Sequence, residues 1–333
     1  MEGVGSASHD DGVTSPEISV VIPIFNESAV LPELQRRLFA VLESACPDHE
    51  VIFVDDGSVD ESPAILLAAA DRNARVRVLR FSRNFGHQAA VTAGIEHARG
   101  RAVVVIDADL QDPPEVIPEL VAKWREGFDV VSAVRTERPG ESAIRLLLIK
   151  VFYRVLKRIA SVDMTPDVGD FRLLDRRVAD ALNRLPERNR YVRGLIRWLG
   201  FRHTEIRYKR AERFAGETKY PYTKLVRLAL DGVTAFSTLP LRLVTYLGFV
   251  VFGLSLLLVL FALVGRLAGG STPAGWTSVF VAVAFLSGVQ LVALGILGAY
   301  VSRIFEEVKG RPLYVVASDT STPPPTRVAP PGT

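Results

Sequence analysis

The chain has 333 residues, enough for one large domain or a domain with an appendage, and its formal net charge is only +3. A balance this even excludes binding to nucleic acid through bulk charge. A single cysteine, Cys46, excludes an internal disulfide and a cysteine-based metal site.

Residues 1–16 have neither a basic start nor an apolar core, which predicts a disordered leader rather than a signal peptide. ISVVIPI (18–24) predicts a first strand. SAVLPELQRRLFAVLESA follows with Val30, Leu34, Leu38 and Leu42 at helical spacing. EVIFVDD predicts a second strand. DESPAILLAAADR predicts a helix capped by Asp60 or Ser62, with Pro63 in its first turn. VRVLRFS, RAVVVIDAD and FDVVSAV predict three further strands, with helices over HQAAVTAGIEHARG and PPEVIPELVAKWREG between them. Alternation at this spacing predicts a mostly parallel sheet with helices on both faces, and in such sheets ligands bind outside the carboxyl ends of the strands. The polar clusters FNES, DDGSVDES, SRNFGH and DADLQD each follow a strand, so four strands deliver polar groups to one rim.

DADLQD suits a hard divalent cation. Asp107 and Asp109 lie two apart, so in an extended chain they point to one side. Two carboxylates with waters and substrate phosphates are what Mg²⁺ or Mn²⁺ takes. Asp112 reads instead as a cap for the helix that opens after Pro113. His87 reads as a helix-start residue more than a donor contact. No G-x-G-x-x-G follows the first strand and no phosphate-binding G-x-x-x-x-G-K-[ST] occurs, which argues against a dinucleotide oxidoreductase and a P-loop NTPase.

The second half changes character. Residues 141–160, ESAIRLLLIKVFYRVLKRIA, alternate apolar and basic positions near helical spacing and predict a helix lying in a membrane interface. Residues 221–240 predict a second interfacial helix. Residues 241–265 and 276–302 contain two long charge-free stretches, each able to cross about 30 Å of hydrocarbon as a helix. Basic residues crowd the outer flanks, and the loop between the spans holds only Arg266. The positive-inside rule then places both termini in the cytosol and predicts a multi-pass protein of the cytoplasmic membrane. Residues 303–333 form a cytosolic tail whose Pro- and Thr-rich end, from Ser318 on, is expected to be disordered. At headgroup level, Arg135, Arg138 and Arg193 are candidates for meeting a phosphate, since a guanidinium binds phosphate bidentately.

VVIPIFNES, VIFVDDGSVDES, SRNFGHQAAVTAGIEHARG, DADLQDPPE, GDFRLLDR and GETKYPYTKLVRLALDG occur in this order. Together they resemble glycosyltransferase family 2, in the branch of dolichyl-phosphate mannose synthases and bactoprenol glucosyltransferases. The resemblance implies an A-type, Rossmann-like glycosyltransferase domain over 17–220, interfacial amphipathic helices and a C-terminal two-helix transmembrane hairpin. It implies inverting, metal-dependent transfer of one sugar from a nucleotide-diphospho-sugar, UDP-glucose or GDP-mannose, to polyprenyl phosphate, and it is compatible with a homo-oligomer among membrane lipid. Carried over residue by residue, it places the nucleoside against Pro23, Phe25, Glu27, Asp55 and Asp56. The metal falls to Asp107, Asp109 and Gln111, with Asp107 also counted among the donor contacts, and the donor diphosphate to Arg213 and Lys219. Asp109, Arg213 and Asp170 are then the catalytic candidates. Asp170 reads either as a structural turn following Gly169 or as a catalytic or substrate-contacting residue, and in the second case two roles stand open. It could act as a base, or it could orient Arg172 or a sugar hydroxyl, because a phosphate monoester with a second pKa of about 6 is already mostly dianionic. A processive polysaccharide synthase fits less well, since the QxxRW motif is missing around LIRWLG. A non-catalytic scaffold of the same fold fits poorly with acidic and basic motifs kept intact.

Overall fold

The computed structural model describes residues 15–135, 168–188, 190–208 and 275–321, with scattered positions between 244 and 264. These fall into two compact units. The first takes in 1–142, 165–218 and 312–333; the second takes in 143–164 and 219–311.

The first unit is an eight-stranded mixed sheet with the order β7-β5-β6-β4-β1-β2-β3-β8. Its strands are β1 (Ile18–Ile24), β2 (His49–Asp55), β3 (Val76–Phe81), β4 (Ala102–Val105), β5 (Val130–Arg135), β6 (Val168–Asp175), β7 (His203–Tyr208) and β8 (Val316–Asp319). Helices α1 (Leu31–Ala45), α2 (Ser62–Arg72), α3 (His87–His97), α4 (Ile117–Arg125), α5 (Arg176–Asn183) and α6 (Val192–Trp198) connect or cover them. The parallel centre is the one the alternation predicts: β1 pairs in parallel with β2 and β4, and β2 with β3. The predicted apolar stripe of α1 faces inward, with Leu34, Leu38 and Leu42 fully buried. Pro23 sits inside β1 at little cost. Val21 accepts from the Ile106 amide on the β4 side, so Pro23, two residues on, turns its missing donor to that side beyond the end of β4. Gly94 lets α3 lie close on β1, since a Cβ there would stand 2.1 Å from Val21 Cγ1.

Three departures from the sequence reading matter for the site. GDFRLLD is not a turn after Gly169. It is β6, inserted antiparallel between β4 and β5. The tail is ordered past Ser318: β8 pairs antiparallel with β3, so disorder beginning at that residue is corrected. Asp112 does not cap the helical segment after Pro113, which has no side-chain cap. It is fully buried, accepts from the Tyr208 hydroxyl, and faces Arg135 at 3.3 Å. It thereby ties the DADLQD loop to β5 and β7.

In the second unit, α7 (Trp276–Val308) begins where the second apolar span was predicted to begin. Phe285–Val308 is long and apolar enough to cross a membrane, with mean hydropathy 1.7, and its apolar side chains are exposed. The described positions between 244 and 264 are helical. Most of the first predicted span, both predicted interfacial helices, the leader as far as residue 14 and the tail beyond 321 lie outside the described residues, as do Arg138, Arg213 and Lys219.

Candidate active site

Strand register explains why three separated residues meet. In the antiparallel β4–β6 pair, Val105 stands opposite Arg172. Two residues further along each chain, in opposite directions, come Asp107 and Asp170. His87 opens α3 beside them, after Gly86, whose φ of 100° few other residues could adopt. His87 Nε2 lies 3.0 Å from Asp170 Oδ2 and 3.6 Å from Asp107 Oδ1. With carboxylates on both sides, Nε2 is the nitrogen assigned the proton.

Asp170 is 3% exposed and is held from two directions. Arg193 on α6 donates to it bidentately, Nε to Oδ1 at 2.7 Å and Nη2 to Oδ2 at 2.8 Å. Burial alone would raise the Asp170 carboxyl, but the hydrogen bonds from Arg193 and His87 outweigh it and hold the group far below the usual carboxylate range. A carboxylate held so low is a poor proton acceptor. Its hydrogen-bond partners are Arg193 and His87. Arg172, fully enclosed beneath, donates to the Gly169 carbonyl at 2.6 Å, and burial pulls its guanidinium down to about 10.

Asp107 has the opposite environment. Its Oδ1 is buried and accepts no hydrogen bond. Burial pushes its carboxyl up to about 6, against the pull of His87 and with the help of the charges on Asp170, Asp112 and Asp109. His87 is raised: burial opposes its charge, but the bond to Asp170 and the charges of Asp107 and Asp170 win. One ligand atom from each of His87, Asp107 and Asp170 lies within 4.8 Å of the others. Unlike charges are therefore stacked in one small volume, and a buried carboxylate oxygen with no donor is what a divalent cation would satisfy. The carboxylates suit Mn²⁺ or Mg²⁺, and an imidazole among the ligands favours Mn²⁺ of the two. The predicted partners of Asp107 lie differently. Asp109 Oδ1 accepts from the Gln111 amide at 3.1 Å, bracing the loop across Leu110, whose φ is 58°. His87 is the helix-start residue the sequence predicts, and it also belongs to the three-residue group, which does not include Asp109.

The proton inventory gives a pH prediction. A carboxyl raised from the usual carboxylate range to about 6 binds its proton more tightly folded than unfolded. Asp107 therefore destabilises the metal-free protein above pH 6, and stability returns as pH falls through 6 toward 4. The raised His87 works in the same direction, adding stability at low pH that is lost as pH rises through its folded pKa. A divalent ion must displace these protons. The rise in unfolding temperature caused by Mn²⁺ should be clearly larger at pH 7.5 than at pH 5.5. Equal rises at both would remove Asp107 and His87 as ligands.

About the ends of β1, β2 and β3 runs an open groove of about 760 Å³. Phe25 lines it with its ring 46% exposed, together with Gly57, Ser58 and Arg80. Gly57 is obligatory here: its φ is 73°, and a Cβ would stand 2.5 Å from the Arg83 backbone. Asp55, at the end of β2, is fully buried; it accepts from the Ser58 amide at 2.9 Å and faces Arg80 Nε at 3.3 Å. Asp56 is committed to the protein. Its two oxygens accept from the Phe85 and Gly86 amides at 2.6 and 2.9 Å, fixing the loop that presents His87. Glu27 donates its amide to Ser62 Oγ at 3.0 Å and starts the turn into α1. Of the three predicted phosphate-binding arginines, Arg135 is engaged by Asp112 and the Tyr208 hydroxyl, at 3.3 and 3.1 Å. Arg193 faces the acidic centre.

The sequence matches the family described as "Glycosyl transferase family 2" over residues 19–182. It is 47% identical over 300 residues to "Uncharacterized glycosyltransferase YkcC" of Bacillus subtilis (strain 168), covering 90% of this chain and 93% of that one. It is 41% identical over 300 residues to "Bactoprenol glucosyl transferase" of Shigella phage SfII, covering 90% and 97%. It is 38% identical over 300 residues to "Prophage bactoprenol glucosyl transferase homolog" of Escherichia coli (strain K12), covering 90% and 98%.

Proposed function

The chain belongs to glycosyl transferase family 2 and is a glycosyltransferase, and from that premise we propose that it moves a single hexose from a nucleotide-diphospho-sugar to a polyprenyl phosphate at the cytoplasmic face of a membrane. The acceptor reading is supported by relatives named bactoprenol glucosyl transferases that align over nine-tenths of the chain, spans included. Those names favour UDP-glucose over GDP-mannose as donor. α7, together with a preceding helix over 241–265, would anchor the domain where such a lipid lies.

The single observation that carries the mechanism is the unpartnered Asp107 oxygen facing His87 and Asp170. A divalent ion held by Asp107 with His87 beside it, and by Asp109 as the family resemblance implies, would supply positive charge against the donor diphosphate. The chain's own residues do the rest. Phe25 offers a face to the base, and Asp55 and Glu27 offer carboxylates to nucleoside hydroxyls. Arg193, held by Asp170, keeps a cation at the rim where an anionic acceptor must arrive. Arg213 and Lys219 are proposed to meet the leaving diphosphate, which gains charge as the bond to the sugar breaks. The acceptor arrives ionised, so no residue need take a proton from it. The displacement is proposed to invert the anomeric carbon.

The test is a donor panel. Full-length protein in detergent, with polyprenyl phosphate and Mn²⁺, is offered labelled UDP- and GDP-sugars. Label should move to lipid from UDP-glucose at least tenfold faster than from the other donors, and chelation should stop it. Equal transfer from GDP-mannose would correct the donor; transfer in chelator would remove the metal.

A further inference from the structure

Ten residues after α7 hold on to the first unit more firmly than a loose tail would. Arg77 grips Asp319 bidentately at 3.0 and 2.5 Å, with both side chains only 13% exposed. Val78 and Thr320 exchange hydrogen bonds, the Val78 amide to Thr320 Oγ1 at 3.0 Å and the Thr320 amide to the Val78 carbonyl at 3.1 Å. The Tyr314 ring stacks on Phe81 with centroids 4.9 Å apart, and its hydroxyl donates to Glu96 at 2.5 Å. A four-residue strand at a sheet edge does not hold on by ladder bonds alone, and these contacts explain why β8 stays.

The strand is not regular. Arg80 pairs with Ser318 but Phe81 pairs with Val316, so Ala317 has no cross-strand partner. Two residues on β8 oppose one on β3, which is a bulge, and bulges re-aim side chains near sites. Ala317 and Ser318 are both exposed, and both line the groove opposite Phe25 and Gly57. The groove therefore has one wall from the parallel core and another from a segment that lies some 240 residues later in the chain.

We propose that β8 is the base-side wall of the donor groove, and that the bulged Ala317–Ser318 pair limits which nucleoside diphosphate enters. This rests on the reading that the groove takes the donor nucleoside. A small residue at 317 leaves room for a planar base beside Phe25, and the strand's polar backbone at the bulge faces it. Base selection would then be set partly by the C-terminal tail, outside the family-matched 19–182.

The experiment measures equilibrium binding of UDP, GDP and inorganic pyrophosphate to the full chain in detergent with Mn²⁺. Ala317→Trp should weaken the preferred nucleoside diphosphate at least tenfold and leave pyrophosphate unchanged, since pyrophosphate needs only the metal end. Arg77→Asp and Asp319→Arg should each weaken it as the strand undocks, and the double exchange Arg77→Asp/Asp319→Arg should restore it. Unchanged UDP and GDP binding in Ala317→Trp, or equal loss of nucleotide and pyrophosphate, would overturn the role of β8 while leaving the donor reading in place. A native protein that binds pyrophosphate but neither nucleotide would overturn the donor groove itself, and β8 with it.

Discussion

Asp107→Asn is expected to lower the rate of sugar transfer by about 10²–10³-fold, the scale of losing a main electrostatic contact to a transition state. The same change should not unfold the protein. Asn is nearly isosteric, and the carboxylate it replaces is one that burial already disfavours, as its rise to about 6 records. Its unpaired Oδ1 is a cost to the metal-free fold rather than a support. The expected signature is therefore a divergence, with activity falling steeply while the metal-free unfolding temperature holds or rises. Mn²⁺ should also lose most of its stabilising effect on this variant. Transfer and fold lost together, or transfer kept, would both count against a metal-holding Asp107.

Asp170→Asn should behave in the reverse way. Asp170 neutralises Arg193 directly and lies beside the enclosed Arg172. Removing the charge takes from Arg193 its directly bonded counterion and leaves the more distant Asp107, in a low-dielectric place where breaking such a pair typically costs about 3–5 kcal/mol. Arg193 keeps some solvent contact, so the lower end of that range is expected. For a domain of this size each kcal/mol moves the unfolding temperature by about 2–4 °C, so a fall of roughly 6–12 °C should be visible. Transfer should fall too, because Arg193 and His87 lose their orientation. Shortening Arg193 to Lys should reproduce part of this effect, since one ammonium cannot make the two bonds. A base role makes a different forecast. Asp170→Asn would then abolish transfer at unchanged stability, and the loss would ease as pH rises. Calorimetry of the variant beside a transfer assay separates the two.

Much of this centre was legible in the sequence because parallel α/β folds put strand ends on one rim. FNES, DDGSVDES, SRNFGH and DADLQD could be placed together from the alternation alone, and Phe25 and Asp107 do follow β1 and β4; Asp170, inside β6, was reached only through the family resemblance. What stayed hidden was pairing over distance. His87 finds Asp170 83 residues on, and no spacing along the chain announces it. β6 carries a period-two pattern, with Phe171 and Leu173 buried, but Asp170 and Arg172 on its other face disguise it as a polar turn. A buried arginine is rare enough that a sequence reader assigns it to solvent. Asp112 looked like a cap because caps are local, whereas its partners Arg135 and Tyr208 lie 23 and 96 residues away. β8 is four residues long beside a Pro-rich tail, and the groups that hold it as a strand, Arg77, Val78 and Phe81, lie far earlier in the chain.

The proposed reaction places one sugar on a polyprenyl phosphate with a metal at Asp107. It is tested most directly by the mass spectrum of the lipid formed when the full-length protein meets UDP-glucose, polyprenyl phosphate and Mn²⁺. The expected product is a lipid carrying a single hexose through a phosphodiester linkage, reduced to a trace with Asp107→Asn. A ladder of longer glycans, or no glycosylated lipid from a folded protein that binds the donor, would contradict it.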